Sequence, residues 1–274
     1  MEFYKMHGIG NDYIYFNCLN DELDDPNGLA IKLSDRHFGV GGDGIVMICR
    51  SDIADAKMRM FNLDGSEGKM CGNAIRCVGK FLYDKKIVDK TKLDIDTLSG
   101  IKYLDLNVID GKVDTVRVNM GLPILEPENI PAKLDNIVNT NLVVNDKTYK
   151  ITCVSMGNPH CVIFVDDVDG IDLEKIGPYF ENHEIFPERV NTEFVQILED
   201  GSFKMRVWER GSGETLACGT GACAVAVGAV LNGLAKKSTD IVVRLRGGEL
   251  IIEYTDVAVY MTGGATFVFK GELL

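Results

Sequence analysis

The sequence predicts an α+β fold built from two similar, pseudo-symmetric domains, each a curved, mainly antiparallel, barrel-like sheet around one central helix. Two observations carry this prediction. Rare motifs recur at a constant offset along the chain, and each copy contains short alternating strands around one strong helix. A length of 274 residues suits two ordinary domains, and 46% hydrophobic residues supply their cores.

The duplication is clearest at two cysteines. Cys71-Gly72 recurs as Cys218-Gly219, and 218 − 71 = 147. Gly10-Asn11 recurs as Gly157-Asn158, and 157 − 10 = 147. Further matches are 61–62 with 208–209, Glu67 with Glu214, and, at an offset of 257 − 116 = 141, 116–120 with 257–261. These matches predict two copies of one module, with the second beginning near residue 118, rather than a solenoid of short repeats.

Both copies have the same predicted order of elements. A half-buried strand leads to a polar loop, then to Cys-Gly, a helix and a hairpin. The second helix is apolar nearly all round, which is typical of a helix enclosed by a sheet. The predicted positions are strands at 58–61 and 204–208, loops at 64–69 and 211–215, helices at 74–83 and 222–235, and hairpin strands after Gly100 and after Gly247-Gly248.

Charge and composition exclude several classes of function. A net charge of −12 argues against nucleic acid and against anionic membrane surfaces as partners. No apolar run approaches the roughly 18 residues of a membrane span, and residues 1–8 lack the apolar region of a signal peptide. We therefore expect a cytoplasmic location, where thiols stay reduced.

Two motifs with familiar spacings are weak. The eight cysteines include no Cys-x-x-Cys, so no metal site is predicted. Residues 39–44 match the dinucleotide pattern G-x-G-x-x-G, but a helix-like stretch at 29–38 precedes them and a strand at 45–49 follows. The nucleotide motif requires the opposite order, so these residues are predicted to form a turn.

The two Cys-Gly pairs are the strongest candidates for chemistry. At a helix start, unpaired N–H groups and the helix dipole favour an anion, so a thiol there is expected to have a lowered pKa. The adjacent glycine lets a carboxylate approach the same N–H groups. A buried structural cysteine is the alternative for either motif alone, and their equivalent repeat positions favour chemistry.

Polar residues near the repeat positions extend this candidate site. Asn11 and Asn158 are repeat partners, as are Asn62 and Glu209. For single residues the alternatives are turn chemistry for an asparagine, a surface ion pair for Glu-Arg and a structural role for a histidine. The residues concerned are Asn11, Asn62, Asn158, His160, Asn191, Glu209 and Arg210.

An ordered set of rare motifs resembles the diaminopimelate epimerase family over the whole chain. The motifs are at 6–12, 61–66, 70–76, 157–160, 208–211 and 217–222. The resemblance implies a cofactor-independent enzyme, without metal, that interconverts LL- and meso-diaminopimelate in lysine and peptidoglycan precursor synthesis. It also implies a homodimer and a C-terminal strand that returns to the first domain. The domains would then be 1–117 with 263–274, and 118–262, with the active site in the cleft between them.

The resemblance also implies a role for each matching residue. Cys71 and Cys218 match the two catalytic thiols. Gly72, Asn73, Gly219 and Thr220 match residues that hold the reacting α-carboxylate, and Asn11, Asn62, Asn158, Asn191, Glu209 and Arg210 match substrate-binding positions. His160 and Glu209 match residues that tune the thiols. Gly44 departs from the pattern, because some members carry a side chain there that contacts the substrate.

A pair of thiols explains inversion of a carbon that bears hydrogen. One group removes the proton from one face while the other delivers a proton to the opposite face, and each repeat would supply one of them. The runner-up within enzymes is a racemase of the proline racemase group, which also uses two cysteines. A non-catalytic amino-acid binding module is the alternative outside enzymes, although binding alone would not require both thiols.

Overall fold

A computed structural model describes residues 1–274, which divide into two compact units: Met1–Asn119 with Thr262–Leu274, and Met120–Met261. In chain order the elements are β1 (Glu2–Gly8), β2 (Asn11–Cys18), α1 (Pro26–Ser34), β3 (Gly44–Cys49), β4 (Ala56–Asn62), β5 (Glu67–Gly68), α2 (Gly72–Asp84), β6 (Lys92–Asp96), β7 (Lys102–Ile109), β8 (Lys112–Gly121), a 3-10 turn (Pro127–Asn129), β9 (Thr140–Val144), β10 (Lys147–Ser155), β11 (Pro159–Phe164), α3 (Leu173–Glu181), β12 (Asn191–Ile197), β13 (Phe203–Glu209), β14 (Gly213–Glu214), α4 (Gly219–Leu231), β15 (Asp240–Leu245), β16 (Gly248–Tyr254), β17 (Val259–Gly264) and β18 (Thr266–Glu272).

The strands pair in the same pattern within each unit. In the first unit the order is β18-β1-β2-β3-β4-β6-β7-β8, with parallel pairing only at β2–β3 and β4–β6. In the second it is β9-β10-β11-β12-β13-β15-β16, with parallel pairing only at β11–β12 and β13–β15. The mainly antiparallel sheet predicted from the sequence is therefore confirmed in each unit.

Three pairs of elements are separated by the same 147 residues as the two Cys-Gly pairs. Helices α2 and α4 begin 219 − 72 = 147 residues apart, α1 and α3 begin 173 − 26 = 147 apart, and β4 and β13 begin 203 − 56 = 147 apart. The short helices α1 and α3 are thus a repeat pair as well. The duplication extends over the whole strand–helix pattern around the two cysteines.

Each sheet carries a helix on both faces. Helix α2 contacts β1, β2 and β7, and α4 contacts strands β10, β11, β12, β15 and β16. On the other face, α1 packs on a cluster around Phe16 and Phe61, and α3 packs on a cluster around Phe194 and Trp208. Strands covered on both faces become continuously apolar, and β3 is buried at every position.

The helix bounds correct the sequence-based ones. Helix α4 was predicted at 222–235 but ends at Leu231, because the chain turns at Asn232 and Gly233 takes a left-handed φ of 71°. The helix-like stretch at 29–38 was displaced in the prediction, since α1 ends at Ser34. The Asp35 carboxylate accepts the N–H groups of His37 and Phe38 at 2.7 and 2.8 Å, which replaces helical bonding. Residues 39–43 form the predicted turn between α1 and β3.

None of the helices combines the length and the apolar character that crossing a membrane requires.

Candidate active site

Both cysteines of the repeat occupy the N-cap of a helix. Cys71 precedes α2 and Cys218 precedes α4, and each has an extended backbone, with φ of −133° and −119°. The helices begin at Gly72 and Gly219, two and three residues earlier than the sequence pattern indicated. Cys71 is partly exposed, whereas the side chain of Cys218 is buried. Each thiol therefore lies beside the first N–H groups of its helix.

The two thiols differ in the hydrogen bonds around the sulfur atom. The Cys71 Sγ donates to Asn11 Oδ1 at 3.4 Å. The Cys218 Sγ accepts the backbone N–H of Gly221 at 3.3 Å and lies 3.6 Å from the Thr220 hydroxyl. An acceptor beside sulfur favours the thiol, and a donor favours the thiolate.

The sequence predicted a lowered pKa for both thiols, and for Cys218 this is wrong. Burial raises its pKa well above the ordinary value, and the carboxylates of Glu209 and Glu193 raise it further. The bonds from Thr220 and Gly221 oppose these effects without overcoming them. A helix N-terminus lowers a thiol pKa only where desolvation and neighbouring negative charge do not outweigh it.

A buried His–Glu pair lies next to Cys218. His160 Nδ1 is 2.6 Å from Glu193 Oε1, and both side chains are fully buried. The other ring nitrogen, Nε2, lies 3.1 Å from Asn158 Oδ1. Sequence reasoning found His160 and Asn158 but missed Glu193. The available signal was an acidic residue inside strand β12, directly before Phe194 and Val195, since a buried carboxylate requires a partner.

Glu209 is the second carboxylate near this thiol. Burial raises the pKa of Glu209, while hydrogen bonds from Thr215 and from the Cys218 thiol act in the opposite direction. The Thr215 hydroxyl donates to Glu209 Oε1. A carboxylate with a raised pKa, in hydrogen-bond contact with a thiol, is suited to exchange a proton with it.

The same cluster contains a set of donors that metals use. The ligand atoms of His160, Glu193 and Cys218 lie within 4.8 Å of one another, and imidazole, carboxylate and thiolate are all zinc ligands. In the hydrogen-bonded arrangement both ring nitrogens of His160 face oxygen atoms. A metal could bind here only after those bonds are broken, which favours the hydrogen-bonded function of the cluster.

The first turns of both helices provide places for a carboxylate. Gly72 and Asn73 are buried at the start of α2, and Gly219 is buried at the start of α4. Arg76, fully buried one turn along α2, donates to the Gly72 carbonyl and to Asn73 Oδ1, both at 3.1 Å. This guanidinium, which sequence reasoning did not single out, adds positive charge beneath the first turn.

The remaining asparagines are bonded in different ways. The Asn191 amide donates to the Pro159 carbonyl at 2.8 Å and accepts the N–H of Arg210 at 2.9 Å, so this buried side chain fixes the backbone at Arg210. The Asn62 amide donates to the Ser66 hydroxyl at 3.0 Å within the turn after β4. These contacts match the turn and backbone roles that the sequence left open for single asparagines.

Gly44 is a glycine because of the backbone around it. Its φ is 152°, and a Cβ placed there would lie 2.0 Å from the Phe61 carbonyl oxygen and 2.9 Å from a ring carbon of Tyr13. A side chain at this position, as some members of the resembling family carry, would require a different local backbone. The substrate contact that such a side chain makes is therefore not available from position 44.

Comparison with known proteins identifies the family. The sequence model described as "Diaminopimelate epimerase" matches residues 3–126 and 152–268. The chain belongs to the diaminopimelate epimerase family. A diaminopimelate epimerase from Methanococcus maripaludis is 55% identical and one from Acetivibrio thermocellus is 56% identical, with 100% of this chain covered in both and 99% and 98% of the relatives. The resemblance seen in the sequence is thus confirmed.

Solved structures extend the fold beyond this family. A Bacillus anthracis phenazine biosynthesis protein of the PhzF family matches with a TM-score of 0.73 at 17% identity, covering 100% of this chain and 99% of that one. A hydroxyproline epimerase from Agrobacterium vitis matches with a TM-score of 0.72 at 14% identity, covering 100% and 90%. A probable proline racemase from Agrobacterium radiobacter is 15% identical. At such identities the likeness shows the fold alone, and the family match favours diaminopimelate epimerase over the proline racemase alternative.

Proposed function

We propose that this chain interconverts LL- and meso-diaminopimelate with Cys71 and Cys218 as its two acid–base groups and without a cofactor. The observation that carries the mechanism is the N-cap position of both cysteines on helices that are equivalent in the two repeats. The substrate follows from the family and from relatives of that activity that match the whole chain. The pathway that follows is lysine and peptidoglycan precursor synthesis.

Inversion at a C–H centre requires two groups on opposite faces of the carbon. A thiolate takes the α-proton, and the other thiol gives its proton to the opposite face of the resulting carbanion. The protein ends with the charge on the second sulfur, so the reverse reaction uses the same two groups with their roles exchanged. Each repeat contributes one of these groups, which is a reason for a duplicated fold to carry the reaction.

The α-carboxylate binds to the first-turn N–H groups of the helices. Gly72, Asn73, Gly219 and Thr220 provide these groups, and the helix dipoles place positive potential there. As the proton leaves, negative charge develops on the α-carbon and is shared with the adjacent carboxylate. Donors fixed before the reaction stabilise that charge without rearrangement.

Glu209 and His160 set the protonation of Cys218. Burial keeps Cys218 a thiol in the free enzyme, and Glu209 accepts its proton when the thiolate is needed. Glu193 holds His160 through Nδ1, so the ring stays fixed beside the thiol. This arrangement supports the role of His160 and Glu209 as residues that tune the thiol.

The distal end of the substrate carries a second carboxylate and an ammonium group. Arg210 binds the carboxylate, because a guanidinium offers five donors and only one bond, from NH1 to the Glu188 carbonyl, is made within the chain. Asn191 fixes the backbone of Arg210. Asn11, Asn62 and Asn158 complete the binding groups.

We also propose a homodimer, which the family resemblance suggests, and the cytoplasmic location expected from the sequence. Sedimentation equilibrium of the purified chain tests the first. A mass near twice 30.2 kDa is expected, and a mass of one chain at micromolar concentration would contradict it. Fractionation of the native cell tests the second.

Incubation of the enzyme with LL-diaminopimelate in deuterated water tests the function. We expect the meso isomer to form with deuterium at the inverted carbon, at a rate that thorough chelation does not change. Deuterium exchange into proline instead would indicate a proline racemase-like enzyme. Binding of diaminopimelate without exchange or inversion would indicate a non-catalytic module. A rate that chelation abolishes and one metal restores would contradict the cofactor-independent mechanism.

A further inference from the structure

Asp43 lies in the turn before β3, within the G-x-G-x-x-G match at 39–44, and the mechanism above does not use it. Its Oδ2 accepts the side-chain amide of Asn11 at 2.7 Å and the backbone N–H of Asp12 at 3.1 Å. Its Oδ1 accepts Arg36 NH2 at 3.0 Å. Asn11 in turn contacts the Cys71 thiol. Asp43 is therefore one residue removed from a proposed catalytic sulfur.

We propose that Asp43 is a positioning residue that fixes the amide orientation of Asn11 and thereby keeps Cys71 protonated in the free enzyme.

The side-chain amide of Asn11 has two possible orientations, which exchange the positions of its carbonyl and NH₂ groups. An ionised carboxylate only accepts hydrogen bonds, so Asp43 requires the NH₂ group of Asn11 to face it. The flipped amide would place two acceptor oxygens 2.7 Å apart, because that is the distance to the atom now donating. The Asn11 carbonyl is consequently directed to Cys71, at 3.4 Å from the sulfur.

The group of Asn11 that faces Cys71 affects whether the sulfur keeps its proton. A carbonyl oxygen accepts a hydrogen bond from S–H and repels S⁻, whereas an NH₂ group would do the reverse. The surroundings of Cys218 differ, because its sulfur accepts the N–H of Gly221 and its S–H bonds to the Glu209 carboxylate. The Asn11 carbonyl, held in this orientation, therefore favours the thiol form of Cys71.

The charge of Asp43 itself has little effect on Cys71. Arg36 bridges Asp43 and Asp12, at 3.0 and 2.8 Å, and Lys5 forms an ion pair with Asp12 at 2.5 Å. Two positive side chains accompany the two carboxylates, so the net field of the cluster at Cys71 is small. Hydrogen bonding through Asn11 is then the main route by which Asp43 acts on the thiol.

Site-resolved alkylation tests the inference. Wild type, Asp43→Asn, Asn11→Ala and the double variant are each treated with iodoacetamide at fixed pH, and the rate at Cys71 is read by peptide mass spectrometry. Asparagine is nearly isosteric with aspartate but can donate as well as accept, so it no longer fixes Asn11. We expect Asp43→Asn to speed alkylation of Cys71 by about fivefold. This is the change in the thiolate-to-thiol ratio that corresponds to the loss of one neutral hydrogen bond. In the Asn11→Ala background the same change should have no effect.

Two results would overturn the proposal. One is an unchanged Cys71 rate in Asp43→Asn, and the other is an equal acceleration with and without Asn11, which would assign the effect to charge alone. The rate at Cys218 is the internal control for folding. The inference rests on the proposed role of Cys71, but alkylation reads the thiol directly. A chain without epimerase activity that shows the expected cycle would contradict the function and not the positioning.

Discussion

At the scale of single residues, backbone geometry decides which side chains a position accepts, and Gly44 is a clear case. Its φ of 152° lies in a region that only glycine occupies readily, and the Phe61 carbonyl oxygen fills the space of a Cβ. Gly111 also has a positive φ, 74°, but nothing lies within 4 Å of its Cβ position. A side chain at position 44 would therefore add both conformational strain and steric overlap, whereas one at position 111 would add conformational strain alone.

We expect Gly44→Ala to lower the free energy of unfolding by about 3 kcal/mol or more, and Gly111→Ala by only about 1 kcal/mol. Overlap with a carbonyl must displace either strand β3 or strand β4, whereas strain at Gly111 stays within an exposed turn. Urea titration of both variants measures the difference. Equal losses would mean that β3 and β4 accommodate the methyl group.

The catalytic assignment is also tested by single residues. Cys71→Ala and Cys218→Ala should each reduce epimerisation at least about 100-fold, since each removes one acid–base group. The matched controls are Cys77→Ala and Cys223→Ala, which remove buried thiols from the same two helices. They should keep most of the activity. A Cys71 or Cys218 variant with a tenth of wild-type turnover would contradict the two-thiol mechanism.

Residues of the site differed in how visible they were from sequence. Cys71 and Cys218 could be found because a duplication places the same rare pair twice. The partners of Glu193 and Asp43 could not be found in this way, because those partners are distant along the chain. Glu193 meets His160 from 33 residues away, and Asp43 meets Asn11 from 32 residues away. A single sequence does not contain those distances.

At the scale of elements, tertiary packing overrides local propensity in α3. The helix was not among the predicted elements, and Gly177 and Pro178 in its middle are residues that disfavour a helix interior. The structure explains the glycine: a Cβ at Gly177 would lie 2.3 Å from Trp208 Cδ2, so the helix can approach β13 only without a side chain there. The helix was nevertheless implied by the repeat, since α1 lies 147 residues earlier, as 173 − 26 shows.

Gly177→Ala is therefore expected to destabilise the protein, although the same change in most helices stabilises them by up to about 1 kcal/mol. Overpacking against Trp208 should cost about 1–3 kcal/mol. Trp208 is the single tryptophan of the chain, so its fluorescence reports the displacement directly. Gly228→Ala in α4 is the control, because its Cβ would meet only Val162 and Thr152 side chains, at 3.6 Å or more. An unchanged emission spectrum and melting temperature for Gly177→Ala would contradict the packing argument.

At the scale of the whole molecule, the duplication explains why each unit has one of the two proposed acid–base thiols. Each has one thiol at a helix N-cap and one repeat asparagine, and the two N-cap thiols differ in their hydrogen bonds. The fold could be predicted because the same pattern of strands around a helix occurs in both halves of the chain. The different surroundings of the two thiols could not, because the copies have diverged at the residues that pack around them.

The last prediction concerns the two thiols together. A mechanism in which two sulfurs act on opposite faces of one carbon requires them to come within a few ångströms of each other across the substrate. Without substrate, hydrogen peroxide could then join Cys71 and Cys218: two thiols lose two protons and two electrons, and the peroxide is reduced to water. We expect peroxide to abolish epimerisation, dithiothreitol to restore it, and bound diaminopimelate to protect against it. Peptide mapping of the non-reduced protein should identify the Cys71–Cys218 link. The chain has its own competitors, because Cys18 lies opposite Cys49 and Cys153 opposite Cys161 on paired strands. If peroxide joined those buried pairs instead while activity persisted, the two proposed catalytic thiols would not act on one carbon.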